Sequence, residues 1–244
     1  MSGHSKWSQI KHKKALTDSK RGKLFSKLSL QISLAAREKG GDQGTNPSLR
    51  MTIEKARSFN FPLENIERAI KRGTGELEDI IFEEFILEAY GPGSSALIIE
   101  GTTDNKNRTF SELKHLLTQY NGKSANPGSV LWLFERRGVL VINKNPPSRL
   151  SNEELELLAI DNGATDLRWI DAANLEIYCL PEQLDKVKKA LEGKTVAIAE
   201  TSLEWAAKNE IPLDDLKMRG ALEKLLEILD DHDDVSEVFS NVNF

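Results

Sequence analysis

The chain has 244 residues and an ordinary globular composition, with 39% hydrophobic and 29% charged residues. This length is enough for two or three domains, each with its own core. A single cysteine, Cys179, excludes an internal disulfide and a cysteine-based metal cluster, and favours a reducing compartment. No apolar run approaches the ~20 residues that cross a bilayer, and the first residues lack a secretory signal pattern. We therefore expect a cytoplasmic protein with no membrane partner.

Charge divides the chain near Gly75. Residues 1–75 contain 16 Lys and Arg against six Asp and Glu, whereas residues 76–244 contain 17 against 32. The net charge of −5 therefore combines a positive N-terminal part, at +10, with an acidic remainder, at −15. This distribution indicates that the positive part binds a polyanion.

The positive part carries the patterns of three short amphipathic helices behind a basic arm. The first helical period begins near Asp18 and stops at Gly40. Asn46 is a suitable N-cap for the second helix, because a proline follows it at the first helical position. The third helix is predicted from Pro62 to Gly73.

The acidic part alternates strand and helix patterns. Residues 82–90 and 96–100 are predicted strands joined by a turn, and residues 109–120 are a predicted helix. Residues 134–205 follow the ferredoxin-like order strand-helix-strand-strand-helix-strand, with the last strand predicted at 196–201. The tail adds a helix at 216–229 and a strand at 235–239, and this pair needs a sheet to join.

These patterns predict an α+β multidomain fold. An N-terminal three-helix domain is followed by two α/β (ferredoxin-like) domains, and the last of these is inserted in the middle one. The predicted ranges are 1–76 for the basic helical domain, 77–133 plus 206–244 for the middle domain, and 134–205 for the inserted domain.

The candidate nucleic-acid site is the basic arm together with the first helix, where unpaired charge is expected to concentrate in residues 6–27. Each cation that neutralises a phosphate releases counterions, so this cluster would bind DNA or RNA in a salt-sensitive way. A solvated tail kept positive for solubility is the alternative. Arg72 is added from the third helix because no glutamate lies four residues before it. The predicted contact residues are Lys6, Lys11, His12, Lys13, Lys14, Lys20, Arg21, Lys23, Lys27 and Arg72.

Three other motifs have plain structural explanations. Residues 91–96 match the nucleotide fingerprint G-x-G-x-x-A, but a strand follows instead of a helix, which predicts a hairpin turn. The segment 104–109 is expected to cap a helix, and phosphate or partner contacts of Lys106 and Arg108 are the less favoured alternative. The segment 230–234, Asp-Asp-His-Asp-Asp, lacks the ligand spacing of any ion and is expected to be a solvated acidic turn.

No catalytic, cofactor or metal site is predicted. The histidines at positions 4, 12, 115 and 232 are scattered along the chain, and no G-x-S-x-G motif is present. Cys179 alternates within a strand like a core residue. Tyr178 is the sole aromatic residue on the third strand of the ferredoxin-like pattern, so an RNA-recognition sheet is not expected.

Several stretches together resemble the YebC/PmpR family across the whole chain. The most specific is Gly3-His-Ser-Lys-Trp7, whose position resembles the bacterial form and not the mitochondrial translational activators of this family. The chain departs from the family's usual sequence in two segments, the Gly-Ser-Ser that ends at Ser95 and the loop over 121–128. The other stretches that carry the resemblance are Ile10-Lys-His-Lys13, Lys20-Arg-Gly-Lys23 with Phe25, Ala35-Ala-Arg37, Gly40-Gly41, Asn46-Pro47, Ile70-Lys-Arg-Gly73, Tyr90-Gly-Pro-Gly93, Asp104-Asn105, Asn107-Arg-Thr109, Gly128-Ser-Val130 and Asp233-Asp-Val235.

The resemblance implies three domains and control of gene expression without catalysis. Members are described as DNA-binding transcriptional regulators and as translation factors acting on stalled ribosomes. We therefore expect a nucleic-acid-binding regulator whose target is promoter DNA or ribosomal RNA, with a basic protein as a candidate partner of the acidic domains. The alternative is a protein-interaction adaptor whose basic arm docks an acidic protein partner.

Overall fold

The computed structural model describes residues 18–77, 82–144 and 150–243, and for residues 18–20 it describes the backbone alone. The chain divides into two compact units. The first unit comprises Met1–Glu135 and Ala206–Phe244, and the second comprises Arg136–Trp205. The predicted arm before Asp18 lies outside the described residues.

Three helices begin the described part of the first unit: α1 (Asp18–Lys39), α2 (Pro47–Ser58) and α3 (Leu63–Gly73). The predicted cap of α2 is confirmed, because the Asn46 side chain accepts a hydrogen bond from the Leu49 backbone N–H at 3.0 Å. The apolar faces of the three helices meet in one buried cluster that includes Leu28, Ile32, Leu49, Ile53, Phe61 and Ile66.

Helices α1 and α3 approach each other closely at Gly73. A Cβ atom at this position would lie 2.1 Å from the carbonyl oxygen of Ser33, so only glycine allows the contact. The Ser33 hydroxyl donates a hydrogen bond to the Ala69 carbonyl at 2.8 Å, which ties the two helices together inside the cluster.

Strands and helices alternate along the rest of the described chain. In chain order they are β1 (Glu83–Tyr90), β2 (Ala96–Thr103), α4 (Lys106–Gln119), β3 (Lys123–Ser124), β4 (Phe134–Asn143), α5 (Asn152–Asp161), β5 (Ala164–Trp169), β6 (Asn174–Cys179), α6 (Leu184–Glu192), β7 (Ile198–Ala207), β8 (Ile211–Pro212), α7 (Leu216–Asp230), β9 (Val235–Ser240) and β10 (Val242–Asn243).

The first unit contains a four-stranded sheet of order β3-β1-β2-β9. Strands β1 and β2 form an antiparallel hairpin, and a short 3₁₀ turn at Pro92–Ser94 joins them at the position of the fingerprint-like motif, as the sequence predicts. The tail strand β9 pairs antiparallel with β2, with Ile99 opposite Val238. Helices α4 and α7 cover one face of the sheet, and the core between them includes Leu87, Ile99, Leu113, Leu117, Leu225 and Leu229.

The prediction that this middle domain is ferredoxin-like is wrong in its strand order. A ferredoxin-like unit begins strand-helix-strand, whereas this sheet begins with a hairpin. The connection from Tyr90 to Ala96 is too short for a crossover helix, so β1 and β2 must be antiparallel neighbours. In the observed sheet both strands are central, and β3 and β9 form the edges.

The second unit has the sheet order β5-β6-β4-β7 with helices α5 and α6. Its elements run strand-helix-strand-strand-helix-strand along the chain, which is the ferredoxin-like pattern. Tyr178 on β6 is buried, and its hydroxyl donates to the Glu176 carboxylate at 2.6 Å, so this ring offers no stacking face. Burial, with a smaller contribution from Glu182, raises the pKa of Cys179 to about 11, which keeps the thiol protonated.

None of the helices in the described part combines the length and the apolar composition that a bilayer crossing requires.

Candidate nucleic-acid interface

The structure describes the side chains of four of the ten predicted contact residues. Arg21, Lys23 and Lys27 lie on α1, and Arg72 lies half-buried in the last turn of α3. Lys20 lies in α1, where only its backbone is described. The remaining predicted residues lie outside the described part of the chain, namely Lys6, Lys11, His12, Lys13 and Lys14.

Lys23 and Lys27 lie one helical turn apart on α1 and contact the C-terminal end of α7. The Lys23 ammonium is 3.0 Å from the Asp231 carbonyl oxygen and 3.2 Å from the Asp233 carboxylate. The Lys27 ammonium donates to the Asp230 carbonyl oxygen at 2.6 Å. The last carbonyls of a helix carry partial negative charge and lack partners inside the helix, so they attract cations. The expectation that the charge over residues 6–27 is unpaired is therefore wrong for these two lysines.

The ion pair at Lys23 is weak because both partners are exposed. The Lys23 side chain is 45% exposed and the Asp233 side chain is 76% exposed. A pair of this kind contributes about 0–1 kcal/mol and is screened by salt. Another anion can therefore replace Asp233 at Lys23 at small energetic cost.

Arg21 is exposed near the start of α1. Its guanidinium carbon lies 5.8 Å from the centre of the Phe25 ring, and that ring packs edge-on against Phe61 at a centroid distance of 5.0 Å. The aromatic pair fixes this end of α1 on the helical cluster, so the arginine head group extends from an anchored stretch of helix.

The two motifs at 104–109 and 230–234 meet at the carboxylate of Asp234. This carboxylate accepts hydrogen bonds from Thr109 Oγ1 at 2.5 Å, Arg108 Nη2 at 2.8 Å and Thr103 Oγ1 at 3.2 Å. Burial alone would raise the pKa of Asp234, but the hydrogen bonds from Thr109 and Arg108 outweigh it and hold that pKa below its ordinary value. The predicted solvated turn therefore describes Asp233 and not Asp234, whose side chain is only 17% exposed.

The segment 104–109 caps α4 as predicted. The Asn105 side chain accepts a hydrogen bond from the Arg108 backbone N–H at 3.1 Å. Lys106 pairs with Glu83 at 2.7 Å, and Arg108 pairs with Asp104 at 2.9 Å as well as with Asp234. The charges of both residues thus have carboxylate partners inside the first unit.

His232 also has a fixed place in the acidic turn. Its Nδ1 accepts a hydrogen bond from the Asp234 backbone N–H at 3.1 Å, so the proton of the neutral ring lies on Nε2, which faces Glu112 at 3.2 Å. Within the described residues, no group of three or more His, Cys, Asp or Glu side chains is arranged to hold a metal ion.

Sequence reasoning missed Glu88, which organises the loop before β4. This carboxylate is buried on β1 and accepts three backbone hydrogen bonds, from Gly128 and Val130 at 2.5 Å and from Leu131 at 2.7 Å. Burial would raise the pKa of Glu88, but these three N–H donors outweigh it and lower the pKa. No local pattern marks the residue, because its partners lie some 40 positions away in the chain.

Comparison with known proteins finds similarity along almost the whole chain. The profile described as the TACO1/YebC protein N-terminal domain matches residues 5–76, and that of the TACO1/YebC second and third domain matches residues 82–242. A protein of Halothermothrix orenii named "Probable transcriptional regulatory protein" is 47% identical over 241 residues, which cover 99% of this chain and 94% of the relative. A protein of Thermotoga maritima with the same name is 49% identical over 247 residues, covering 99% and 93%.

The fold also has a solved counterpart. The crystal structure of a conserved hypothetical protein from Aquifex aeolicus is similar to this chain with a TM-score of 0.87 and 43% sequence identity. The similarity covers 98% of this chain and 96% of that one.

Proposed function

Because the chain belongs to the TACO1/YebC family, we propose that it is a non-enzymatic, nucleic-acid-binding regulator of gene expression. Its relatives named probable transcriptional regulatory proteins support the regulatory role. The excess of ten positive charges in residues 1–75 supports a polyanionic target. We keep the division into 1–76, 77–133 plus 206–244, and 134–205 as part of this proposal, with the first domain as the one that binds.

One observation supports the proposal most directly: lysine side chains on α1 bind carboxylate and carbonyl oxygens at a half-exposed site. Lys23 and Lys27 bind such oxygens at 2.6–3.2 Å. A nucleic-acid backbone offers oxygens of the same kind with a full negative charge on each phosphate. The weakness of the Lys23–Asp233 pair allows phosphate to take its place.

In this proposal, residues of both the basic arm and α1 bind phosphates. Phosphate contacts fix the position of a protein on nucleic acid but do not read its sequence. Promoter DNA and ribosomal RNA therefore fit this surface equally well, and the acidic remainder of the chain orients the complex by repulsion or binds a basic protein. The residues assigned to phosphate binding are Lys6, Lys11, His12, Lys13, Lys14, Lys20, Arg21, Lys23, Lys27 and Arg72.

The test is the affinity for a DNA duplex and for ribosomes over a series of salt concentrations. Truncation through residue 27 would remove Phe25 from the helical cluster. Substitution of charged residues tests the charge and keeps that packing. The variant Arg21→Gln/Lys23→Gln should flatten the plot of log K against log salt by about 0.9 for each duplex phosphate that is no longer neutralised. The control Lys186→Gln/Lys189→Gln removes the same charge from exposed positions on α6 of the second unit and should leave the slope unchanged.

The results separate the candidate functions. If the α1 variant and a matching variant of the arm lysines bind both targets with wild-type affinity and slope, the proposal is wrong. If those variants lose affinity for an acidic peptide while the wild type binds no nucleic acid, the adaptor alternative replaces it. Crosslinking in cells followed by sequencing then assigns the target, since ribosomal RNA and discrete promoters give different patterns.

A further inference from the structure

We propose that Trp132, together with Lys208 and Lys123, forms a second nucleic-acid site that stacks one unpaired base and holds the adjacent phosphates. This inference rests on the proposed function and deepens it. It adds that the target contains a single-stranded or looped segment, and that residues outside the arm and α1 contact that segment.

Trp132 is a large apolar residue that the fold leaves exposed to solvent. The residue is 65% exposed, and it is the sole aromatic residue among the large hydrophobic residues exposed in the described part of the chain. An indole buries a large apolar area when it is covered, so an exposed one is a typical contact residue for a ligand or partner.

The position of this indole is fixed before any ligand binds. Its Nε1 donates a hydrogen bond to the Ser129 carbonyl oxygen at 3.0 Å, and the Tyr90 hydroxyl donates to the same oxygen at 3.3 Å. The buried carboxylate of Glu88 holds the backbone N–H groups of Val130 and Leu131, directly before the tryptophan. A ring that is already ordered loses little conformational entropy on binding.

Two exposed lysines contact the residues that hold the loop of Trp132. Lys208 Nζ donates to the carbonyl oxygen of Trp132 itself at 2.9 Å, and the Lys208 backbone N–H donates to the Leu133 carbonyl oxygen at the same distance. Lys123 Nζ lies 5.6 Å from the centre of the Tyr90 ring. The two ammonium groups thus contact a carbonyl and an aromatic ring, and the nearby Glu88 carboxylate is used by backbone amides. The loop that carries the indole therefore has two exposed cations at its contacts, although residues 76–244 are acidic as a whole.

The chemistry of this cluster fits an unpaired nucleotide. A base stacks on an aromatic face whatever its identity, and the lysines can neutralise the phosphates on either side of it. Bases inside a duplex are already stacked on their neighbours, so an indole at the surface reaches only bases in single strands, loops or bulges. A protein partner could also cover Trp132, and binding measurements on tryptophan variants distinguish that case.

The experiment compares Trp132→Ala and Trp132→Phe with the wild-type full-length chain. The probes are a fluorescent single-stranded oligonucleotide of about 20 nucleotides and a duplex of the same length. Trp132→Ala should weaken single-strand binding by about 5- to 150-fold, and Trp132→Phe by less because it keeps a ring. Duplex binding should change by less than about twofold. The control Leu216→Ala removes another exposed apolar side chain of the first unit and should change neither.

Two further readouts test the assigned roles. Saturating single strand should quench a component of the tryptophan fluorescence that is absent from Trp132→Phe. Lys123→Gln/Lys208→Gln should flatten the salt dependence of single-strand binding by about 0.7 for each cation removed. Circular dichroism and thermal unfolding of every variant show whether the fold is kept.

The outcomes separate this inference from the proposed function. If folded Trp132→Ala binds single strands as the wild type does, while the variants of α1 and the arm lose affinity, the second site is wrong and the proposed function stands. Equal loss on duplex and single strand also overturns base stacking. If the wild type binds neither probe, the proposed function fails, and a loss confined to a protein partner would assign Trp132 to that partner.

Discussion

Replacing Asp234 with asparagine removes the charge at the point where β2, α4 and β9 meet. The wild-type carboxylate accepts hydrogen bonds from Thr103 at the end of β2 and from Arg108 and Thr109 in the first turn of α4. Its backbone carbonyl also accepts a hydrogen bond from the Thr102 N–H at 2.8 Å. Asparagine keeps the shape and one acceptor oxygen but loses the ion pair with Arg108.

The expected loss of stability follows from the number and kind of these bonds. A hydrogen bond to a charged group contributes about 1.5–3 kcal/mol, and bonds that share one carboxylate are not additive. We therefore expect Asp234→Asn to lower the free energy of unfolding of the first unit by about 2–4 kcal/mol. The neighbouring Asp233→Asn is the matched control, because Asp233 is 76% exposed and its loss should cost less than about 0.5 kcal/mol.

Urea unfolding measures the difference, and amide hydrogen exchange at Thr102 reports it locally. The local readout is needed because a chain of two units can unfold in more than one step. If the two variants lose equal stability, or if Thr102 exchanges at the wild-type rate in Asp234→Asn, the network does not hold the sheet edge.

The same variant predicts a dependence on pH. The pKa of Asp234 is lowered in the folded state, so its contribution is fully present above the unfolded pKa of about 3.9. That contribution is lost as the pH falls through the folded-state pKa. The stability gap between wild type and Asp234→Asn should thus be constant from pH 7 to about pH 5 and should close below about pH 4. A gap that persists unchanged in acid would mean that the charge is not its source.

Three further changes have defined outcomes. Glu88→Gln should speed exchange of the three loop amides that it binds by about tenfold or more, since a charged acceptor is removed. Gly73→Ala should lower the free energy of unfolding by about 1–3 kcal/mol, because the new Cβ would lie 2.1 Å from the Ser33 carbonyl. Its control is Gly22→Ala on α1, where nothing lies within 4 Å of the new Cβ, and this variant should gain up to about 1 kcal/mol in the same urea assay. Asp233→Asn should strengthen duplex binding about two- to fivefold in the salt series, and unchanged affinity would show that the acidic turn does not compete.

The sequence predicts the ranges of the helices well, because the residues that begin and end a helix act on backbone groups only a few positions away. The cap at Asn46 and the glycine after α1, which has φ +86°, act within a few residues and are visible in the sequence. Helix α4 begins at Lys106 and not at the predicted residue 109, because its first turn is polar and the apolar period starts later. The cap at Asn105 marks the true start.

Strand ends were less predictable because distant residues decide them. Strand β7 runs over Ile198–Ala207, whereas the apolar pattern predicts 196–201. Its later residues are in a strand through pairing within the sheet and not through alternation of their own side chains. The two-residue strands β3, β8 and β10 are too short to show any period, so the sequence does not predict them.

The candidate sites show the same contrast between what the local sequence predicts and what distant residues decide. The resemblance to a known family marked the segments at 104–109, 128–130 and 233–235 without assigning contacts among them. The structure brings the first and third together at Asp234 and holds the second on Glu88. Pairing over 40 to 126 positions leaves no spacing signal in one sequence, so the segments could be recognised but their partners could not.

Exposure divides the acidic turn into two parts with different roles. The Asp234 side chain is 17% exposed, so its hydrogen bonds and ion pair are little screened by water and salt. Its role is to stabilise the fold. Asp233, 76% exposed, holds Lys23 through a pair that salt weakens and a phosphate can replace. The less exposed pair of Lys55 and Glu237, at 2.6 Å with side chains 24% and 26% exposed, links α2 to β9 independently of that exchange. Under the proposed function, a polyanion on α1 would replace the Asp233 carboxylate at Lys23 and compete with the Asp230 and Asp231 carbonyls. The pair of Lys55 and Glu237 would be kept.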